Sequence, residues 1–170
     1  MKNKLLISNS EIEVRVEELA SEIDTFYKHS CPIMICVLKG AVIFFADLVK
    51  SMNIDAEIDF IGVKSYLDNK STGKVDLYLD LSSDIKGRDV VIVEDIVDSG
   101  ETITKLFKHI NCFKPKSIRV VTLLNKPSNH KINEQIDWIG FNIKDRFVFG
   151  YGLDFNQKFR GLNDLVTTDE

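Results

Sequence analysis

Two acids, Glu94 and Asp95, follow directly on the apolar run 90–93, and then come Asp98, Ser99, Gly100, Glu101 and Thr102. Adjacent carboxylates repel each other and have no packing role at the end of an apolar strand. Sugar hydroxyls that donate to them, or a hard divalent cation, would offset that repulsion. The hydroxyls of Ser99 and Thr102 suit phosphate oxygens, and Gly100 permits a close approach or an unusual dihedral. A helix opening near Thr102 would turn free backbone N–H groups and a positive dipole end toward the same anion. The segment is therefore built for a sugar phosphate. It is neither a Walker A loop nor a G-x-G-x-x-G turn, since it holds one glycine and no Gly-Lys-Ser/Thr. Read alone, Asp98-Ser99-Gly100 is better explained as an ordinary N-cap and turn; the Glu94-Asp95 pair is what shifts the balance to a ligand.

The rest of the composition narrows the chemistry. The 170 residues carry 26 acidic and 22 basic side chains, a formal net charge of -4. That balance argues against nucleic acid as a partner and obliges an anionic substrate to find local cations or a metal. Lys105, Lys108, Lys114, Lys116 and Arg119 are explained by a solvated helix face and its following turn. An RNA-binding regulator would need more than that. The three cysteines and three histidines lack the spacing of a zinc or redox site, so Cys31, Cys36 and Cys112 are expected as small buried hydrophobes. Residues 5–7 are too short an apolar core for a signal peptide and no run reaches membrane length, which predicts a cytoplasmic protein with no membrane contact.

The elements that must position these residues are legible in the hydrophobic pattern. Ser8 and Glu11 have capping-box spacing, and Ile12, Val16, Leu19, Ala20, Ile23 and Tyr27 follow at helical intervals, predicting a helix to about His29. Residues 33–38 form a continuous apolar run, as in a strand covered on both faces. A second helix follows Gly40. Ile54, Ala56, Ile58 and Phe60 alternate with acids, and Val75, Leu77, Leu79 and Leu81 alternate with polar residues, predicting half-buried strands. The polar stretch between them reads as the tip of a long hairpin, either a plain surface loop or a lid at about 64–75. A strand at 89–93, a helix at 102–113, a strand at 118–124 and short strands at 138–143 and 147–151 complete the order. Strand and helix alternating in this way predict one α/β domain over 1–170, with a mainly parallel twisted sheet flanked by helices. Such sheets bind ligands at the carboxyl ends of their strands.

With those elements in place, the run from 90 to 102 resembles the phosphoribosyl pyrophosphate motif of the type I phosphoribosyltransferases. The Glu-Asp form, with an acid at 98, is most similar to the hypoxanthine-guanine branch. Four further segments agree in order: Leu38-Lys39-Gly40, Ser65-Tyr66, Lys126 in Leu124-Asn125-Lys126-Pro127, and the C-terminal stretches 147–155 and 159–162. The resemblance covers residues 33–165. Ser99 replaces the commoner threonine and keeps its hydroxyl. Glu101 stands where a basic or neutral residue is usual and puts a carboxylate near a dianionic phosphate.

The resemblance implies a phosphoribosyltransferase fold with a small C-terminal hood, its elements at about 126–160, and a mobile hairpin lid. It implies transfer of 5-phosphoribosyl from phosphoribosyl pyrophosphate to a 6-oxopurine, hypoxanthine or guanine, with Mg2+ and a homodimer or homotetramer. Lys39, Gly40 and Arg160 would bind the pyrophosphate, with a cis peptide between Leu38 and Lys39. Glu94 and Asp95 would hold the ribose hydroxyls and metal, and Ser99, Gly100, Glu101 and Thr102 the 5-phosphate. Asp154, in the purine-binding segment, would hold a second Mg2+ directly or through water on the pyrophosphate side. Asp98 is the general acid/base at purine N7. Lys126 would donate to the 6-oxo group, Phe147 would stack on the base, and the Val148 backbone would meet its edge. Ser65 and Tyr66 would close over the centre and exclude water. Without the resemblance, Lys39-Gly40 is a strand-to-helix turn, Asp154 a solvated turn residue and Phe147 a core residue.

Overall fold

The computed structural model describes residues 3–63 and 77–168. The expected lid at 64–75, with Ser65 and Tyr66, lies outside the described residues. No helix among the described residues is long and apolar enough to cross a membrane.

The first helix, α1 (Asn9–Phe26), begins as its sequence dictates. The Ser8 side chain accepts from the Glu11 N–H, and the Glu11 carboxylate accepts from the Ser8 N–H at 2.9 Å. It ends at Phe26, three residues before His29. Its buried face, Ile12, Val16, Leu19, Ala20 and Ile23, packs on the central sheet beside α2 (Val42–Ser51). The sheet's covered middle strand is β2 (Ile33–Leu38), as the unbroken apolar run predicts. Met34 and Cys36 face the α1/α2 layer, while Ile33, Ile35 and Val37 face the layer of α3 (Glu101–Asn111). Cys36 is buried as expected, whereas Cys31 and Cys112 are exposed.

Beside β2 run β3 (Glu57–Val63) on one side and β5 (Asp89–Val97) on the other, both parallel to it. β4 (Leu77–Leu79) closes one edge antiparallel to β3, so the hairpin is real. β6 (Ser117–Asn125) and β7 (Trp138–Asn142) extend the other edge in parallel, giving the order β4-β3-β2-β5-β6-β7. The chain moves outward in opposite directions from β2 and β5, so the crevice at their carboxyl ends is the topological switch point. Cys36 pairs with Val93, and the residues that follow each strand therefore emerge side by side.

The alternation at 54–60 misleads in one respect. The strand starts later, at Glu57, and runs to Val63; Ile58 is exposed and Asp59 buried. Asp59 tolerates that position because the N–H groups of Phe60, Ser82 and Ser83 and the Ser82 hydroxyl donate to its carboxylate at 2.8–3.0 Å. Burial alone would raise its pKa; these donors outweigh burial and hold it below the ordinary value.

A second, antiparallel sheet joins chain ends that no local pattern connects. β1 (Asn3–Ile7) pairs with β9 (Leu165–Thr168), and β9 with β8 (Val148–Phe149). The sheet reaches beyond 126–160 on both sides. The segment around it is fastened to the body by Tyr151 Oη donating to Asp47 at 2.7 Å and by the Asn9 N–H donating to Asp164 at 2.8 Å.

Candidate active site

At the switch point lies a cleft of about 490 Å³ whose wall includes Lys39, Gly40, Glu94, Asp95, Asp98, Ser99, Gly100, Thr102, Asp154 and Arg160. These sit on three pieces of chain that are far apart in sequence. The Leu38–Lys39 peptide at the end of β2 is cis, as the resemblance implies. Gly40 then passes so near β5 that a Cβ there would fall 1.6 Å from Asp95 Oδ2. Only glycine leaves the Asp95 carboxylate in place.

β5 runs through its two acids to Val97, and its ladder with β6 carries them into the sheet rather than leaving them past its end. Glu94 is 6% exposed, and its Oε2 has no hydrogen-bond partner. Burial, and then the adjacent Asp95 carboxylate, push the Glu94 carboxyl well above the ordinary range. Asp95 is also raised by burial, against the Ile96 N–H that donates to it at 2.7 Å. A buried acid with an orphaned oxygen is a receptor for a hydroxyl or a cation.

After β5 the chain turns through Asp98 and Ser99 to Gly100, the N-cap of α3, at φ +76 with no side-chain cap. The Glu101 N–H donates to Ser99 Oγ at 3.4 Å, but Gly100 itself offers the helix start no side-chain acceptor, so the positive dipole end of α3 lies open beside the cleft. Glu101, the position the sequence left unjustified, turns to solvent: its side chain is 73% exposed and lies 3.7 Å from Lys105. Glu101 is not among the residues of the cleft wall.

The outer wall is an ion pair. Arg160 donates to Asp154 Oδ1 at 2.6 Å and to the Gly152 carbonyl at 2.8 Å, while the Gln157 N–H donates to Asp154 Oδ2 at 2.7 Å. Asp154 therefore orients Arg160 toward the cleft. Among the described residues no group of three acidic, histidine or cysteine side chains gathers to hold a metal ion by itself.

Lys126 does not line the cleft, but its buried ammonium reaches Asp98 Oδ2 at 2.7 Å and Asp145 at 3.2 Å. The other Asp98 oxygen accepts from Asn129 Nδ2 at 2.7 Å. Asn129 and then Lys126 hold the Asp145 carboxyl below its ordinary range. Two residues beyond Asp145, the Phe147 ring is 49% exposed rather than packed in the core. Its backbone carbonyl accepts from Thr167 at 2.8 Å, and its ring meets Phe155 edge-on at 5.4 Å. Val148 is buried beside it, paired with Thr167 of β9.

The model of the phosphoribosyl transferase domain matches residues 5–156. The chain belongs to the phosphoribosyltransferase family. It is 44% identical over 160 residues to the hypoxanthine-guanine phosphoribosyltransferase of Bacillus subtilis (strain 168), covering 94% of this chain and 89% of that one. It is 41% identical, over 94% of this chain and 87% of the other, to the hypoxanthine-guanine-xanthine phosphoribosyltransferase of Tritrichomonas foetus. Among solved structures, the hypoxanthine phosphoribosyltransferase of Trypanosoma cruzi in complex with the product IMP superposes with a TM-score of 0.90 at 36% identity, over 96% of this chain and 92% of that one. The α/β fold of this phosphoribosyltransferase is thus the expected one.

Sequence reasoning missed Asn129 and Asp145 in this phosphoribosyltransferase. Asn129 follows Lys126-Pro127 in a turn, where asparagine is commonplace. Asp145 lies in a polar loop with no periodicity. Only the partners that the fold brings to them distinguish either from a solvated loop residue.

Proposed function

We propose that this phosphoribosyltransferase transfers 5-phosphoribosyl from phosphoribosyl pyrophosphate to hypoxanthine or guanine, giving IMP or GMP and pyrophosphate. The observation that carries the reading is the 2.7 Å contact between Asp98 and Lys126 beside the uncapped start of α3. It brings a candidate proton acceptor for purine N7, a donor for a 6-oxo group and a phosphate receptor together where β5 and β6 end side by side. The relatives named for hypoxanthine and guanine support the same bases, and the Tritrichomonas foetus relative adds xanthine as a third to test.

The residues divide the work. The α3 N-terminus with Ser99 and Thr102 receives the 5-phosphate, and Glu94 and Asp95 accept from the ribose hydroxyls. Lys39 and Arg160 offset the pyrophosphate charge, which grows as the C1′–oxygen bond breaks through an oxocarbenium-like state. The proton on purine N7 passes to Asp98 as N9 bonds to C1′. Phe147 offers a ring face to the base. The raised, orphaned Glu94 fits a magnesium ion shared with the substrate, the usual mode for Mg2+ with one or two carboxylates. Magnesium, when bound, supplies charge neutralisation at the leaving group.

We further place the enzyme in the cytoplasm as a homodimer or homotetramer. Sedimentation of the purified chain reads that assembly; a monomer at micromolar concentration refutes it. The test of the activity is direct: phosphoribosyl pyrophosphate, Mg2+ and hypoxanthine, guanine, xanthine or adenine in separate reactions, following nucleotide and pyrophosphate. The expected result is turnover with hypoxanthine or guanine well above that with adenine. Absence of product with every base overturns the reading.

A further inference from the structure

The segment between β6 and β7 crosses the phosphate turn and touches it at successive points. Ile132 sits where a Cβ on Gly100 would fall, 2.1 Å from its Cγ2. Thr104, in the first turn of α3, donates to Glu134 at 2.9 Å, and His130 is anchored to Asn125 at 2.8 Å. Just before these anchors Asn129 donates from Nδ2 to Asp98 Oδ1. Its own Oδ1 accepts from the Ser128 hydroxyl at 3.1 Å, and its backbone N–H donates to the Lys126 carbonyl at 3.0 Å. A carboxylate oxygen accepts, so the amide must present its NH2 to Asp98, and the Ser128 hydroxyl, free to donate, meets the amide oxygen.

Both Asp98 oxygens are therefore occupied, and by different groups. Both donors also act on the Asp145 carboxylate, but only Lys126, on Oδ2, is the group proposed to read the purine 6-oxo oxygen; Asn129, on Oδ1, is given no part in reading the base. We propose that Asn129 is a positioning residue for proton transfer, holding Asp98 through Oδ1 so that Oδ2, released when Lys126 turns to the 6-oxo group, takes the N7 proton. In that step the N9–C1′ bond forms and the C1′–oxygen bond breaks. Pyrophosphate leaves with the electron pair, and the N7 proton moves to Oδ2, from which water later removes it. A base without a 6-oxo acceptor leaves Lys126 on Oδ2 and the acceptor covered. Discrimination against adenine then appears in kcat and not only in binding. The proposal rests on the reading of Asp98 as the acid/base.

The test compares Asn129→Ala, the isosteric Asn129→Asp and the donor-retaining Asn129→Gln with the intact enzyme, measuring kcat and KM for both substrates. A lost hydrogen bond to a carboxylate that must be oriented should lower kcat about tenfold in Asn129→Ala. KM for phosphoribosyl pyrophosphate should stay within about twofold, because the phosphate turn is held by other contacts. Asn129→Asp, which opposes Asp98 with a second carboxylate, should fall further, and Asn129→Gln should recover part of the loss. Asn129 is exposed, so these variants should unfold at the intact protein's temperature. An unchanged kcat in both Asn129→Ala and Asn129→Asp overturns the proposal, as does an equal loss in all three variants. If Asp98→Asn is inactive while Asn129 variants are normal, only this inference falls. An active Asp98→Asn defeats the acid/base reading itself.

Discussion

Glu94→Gln should make the ligand-free protein more stable at neutral pH while crippling the enzyme. In the free enzyme the Glu94 carboxyl is buried against Asp95 with one oxygen unpartnered, and its pKa is raised. The folded pKa exceeds the unfolded one, so the group's stabilising contribution is complete below the ordinary value of about 4.3. It is lost as pH rises toward the folded pKa, at up to about 1.4 kcal/mol per pH unit. A glutamine is nearly the same size, carries no charge to desolvate, and can donate its amide to Asp95 instead of repelling it. Because that contribution is lost at up to about 1.4 kcal/mol per pH unit over the interval between the two pKa values, the variant should gain on the order of 1–3 kcal/mol at pH 7.5. For a chain of this size the gain is a rise of roughly 2–12 °C in Tm. At pH 4, where Glu94 is protonated in either state, the difference should nearly vanish. Thermal unfolding at the two pH values, with and without phosphoribosyl pyrophosphate and Mg2+, reads both halves. The variant should also lose most of the stabilisation that substrate and metal confer on the intact protein. Equal changes in Tm at both pH values, or a loss at pH 7.5, would refute the electrostatic account of this pair.

Three further perturbations probe other parts of the site and its support. Asp98→Asn should lower kcat by about 10²–10⁴-fold while phosphoribosyl pyrophosphate still binds, measured by steady-state rates and calorimetric titration; near-normal turnover contradicts the acid/base assignment. Gly100→Ala places a Cβ 2.1 Å from Ile132 at φ +76, and should cost about 1–3 kcal/mol in denaturant titration and raise KM for phosphoribosyl pyrophosphate several-fold. Asp59→Ala strands the donors of Phe60, Ser82 and Ser83 and should cost about 2–4 kcal/mol at pH 7. Because the Asp59 pKa is depressed, its contribution is present above the ordinary value of about 3.9 and lost as pH falls through the folded value. The gap between variant and wild type should therefore close in acid, as unfolding at pH 3 and pH 7 will report.

Local sequence was sufficient wherever a feature has a local cause. The Ser8 capping box, the unbroken apolar run of β2 and the amphipathic face of α3 reflect propensity and one-sided burial, and each appears near the predicted place. The run from Glu94 to Thr102 is legible for the same reason: acids after an apolar strand and a glycine before a helix stand within a dozen residues, and the structure places them on one wall of the cleft. Where alternation misled, at Ile58 and Asp59, the reason was a set of donors from residues 82–83, more than twenty positions away, which lets a carboxylate take the buried face.

Other features had no local cause to read. The pairing of β1 with β9 joins the two ends of the chain, since a strand's N–H and C=O groups specify that a partner is needed and not which one. The direction of Glu101, out to Lys105 and away from the cleft, follows from where α3 lies on the sheet. Most of all, the contacts of Asp98 with Lys126 and Asn129 exist because β5 and β6 end side by side. The sequence names the residue types proposed to carry a proton, read an oxo group and receive a phosphate. Only the switch point of the sheet brings them within hydrogen-bonding distance, because that distance is a property of strand order and register and not of any single segment.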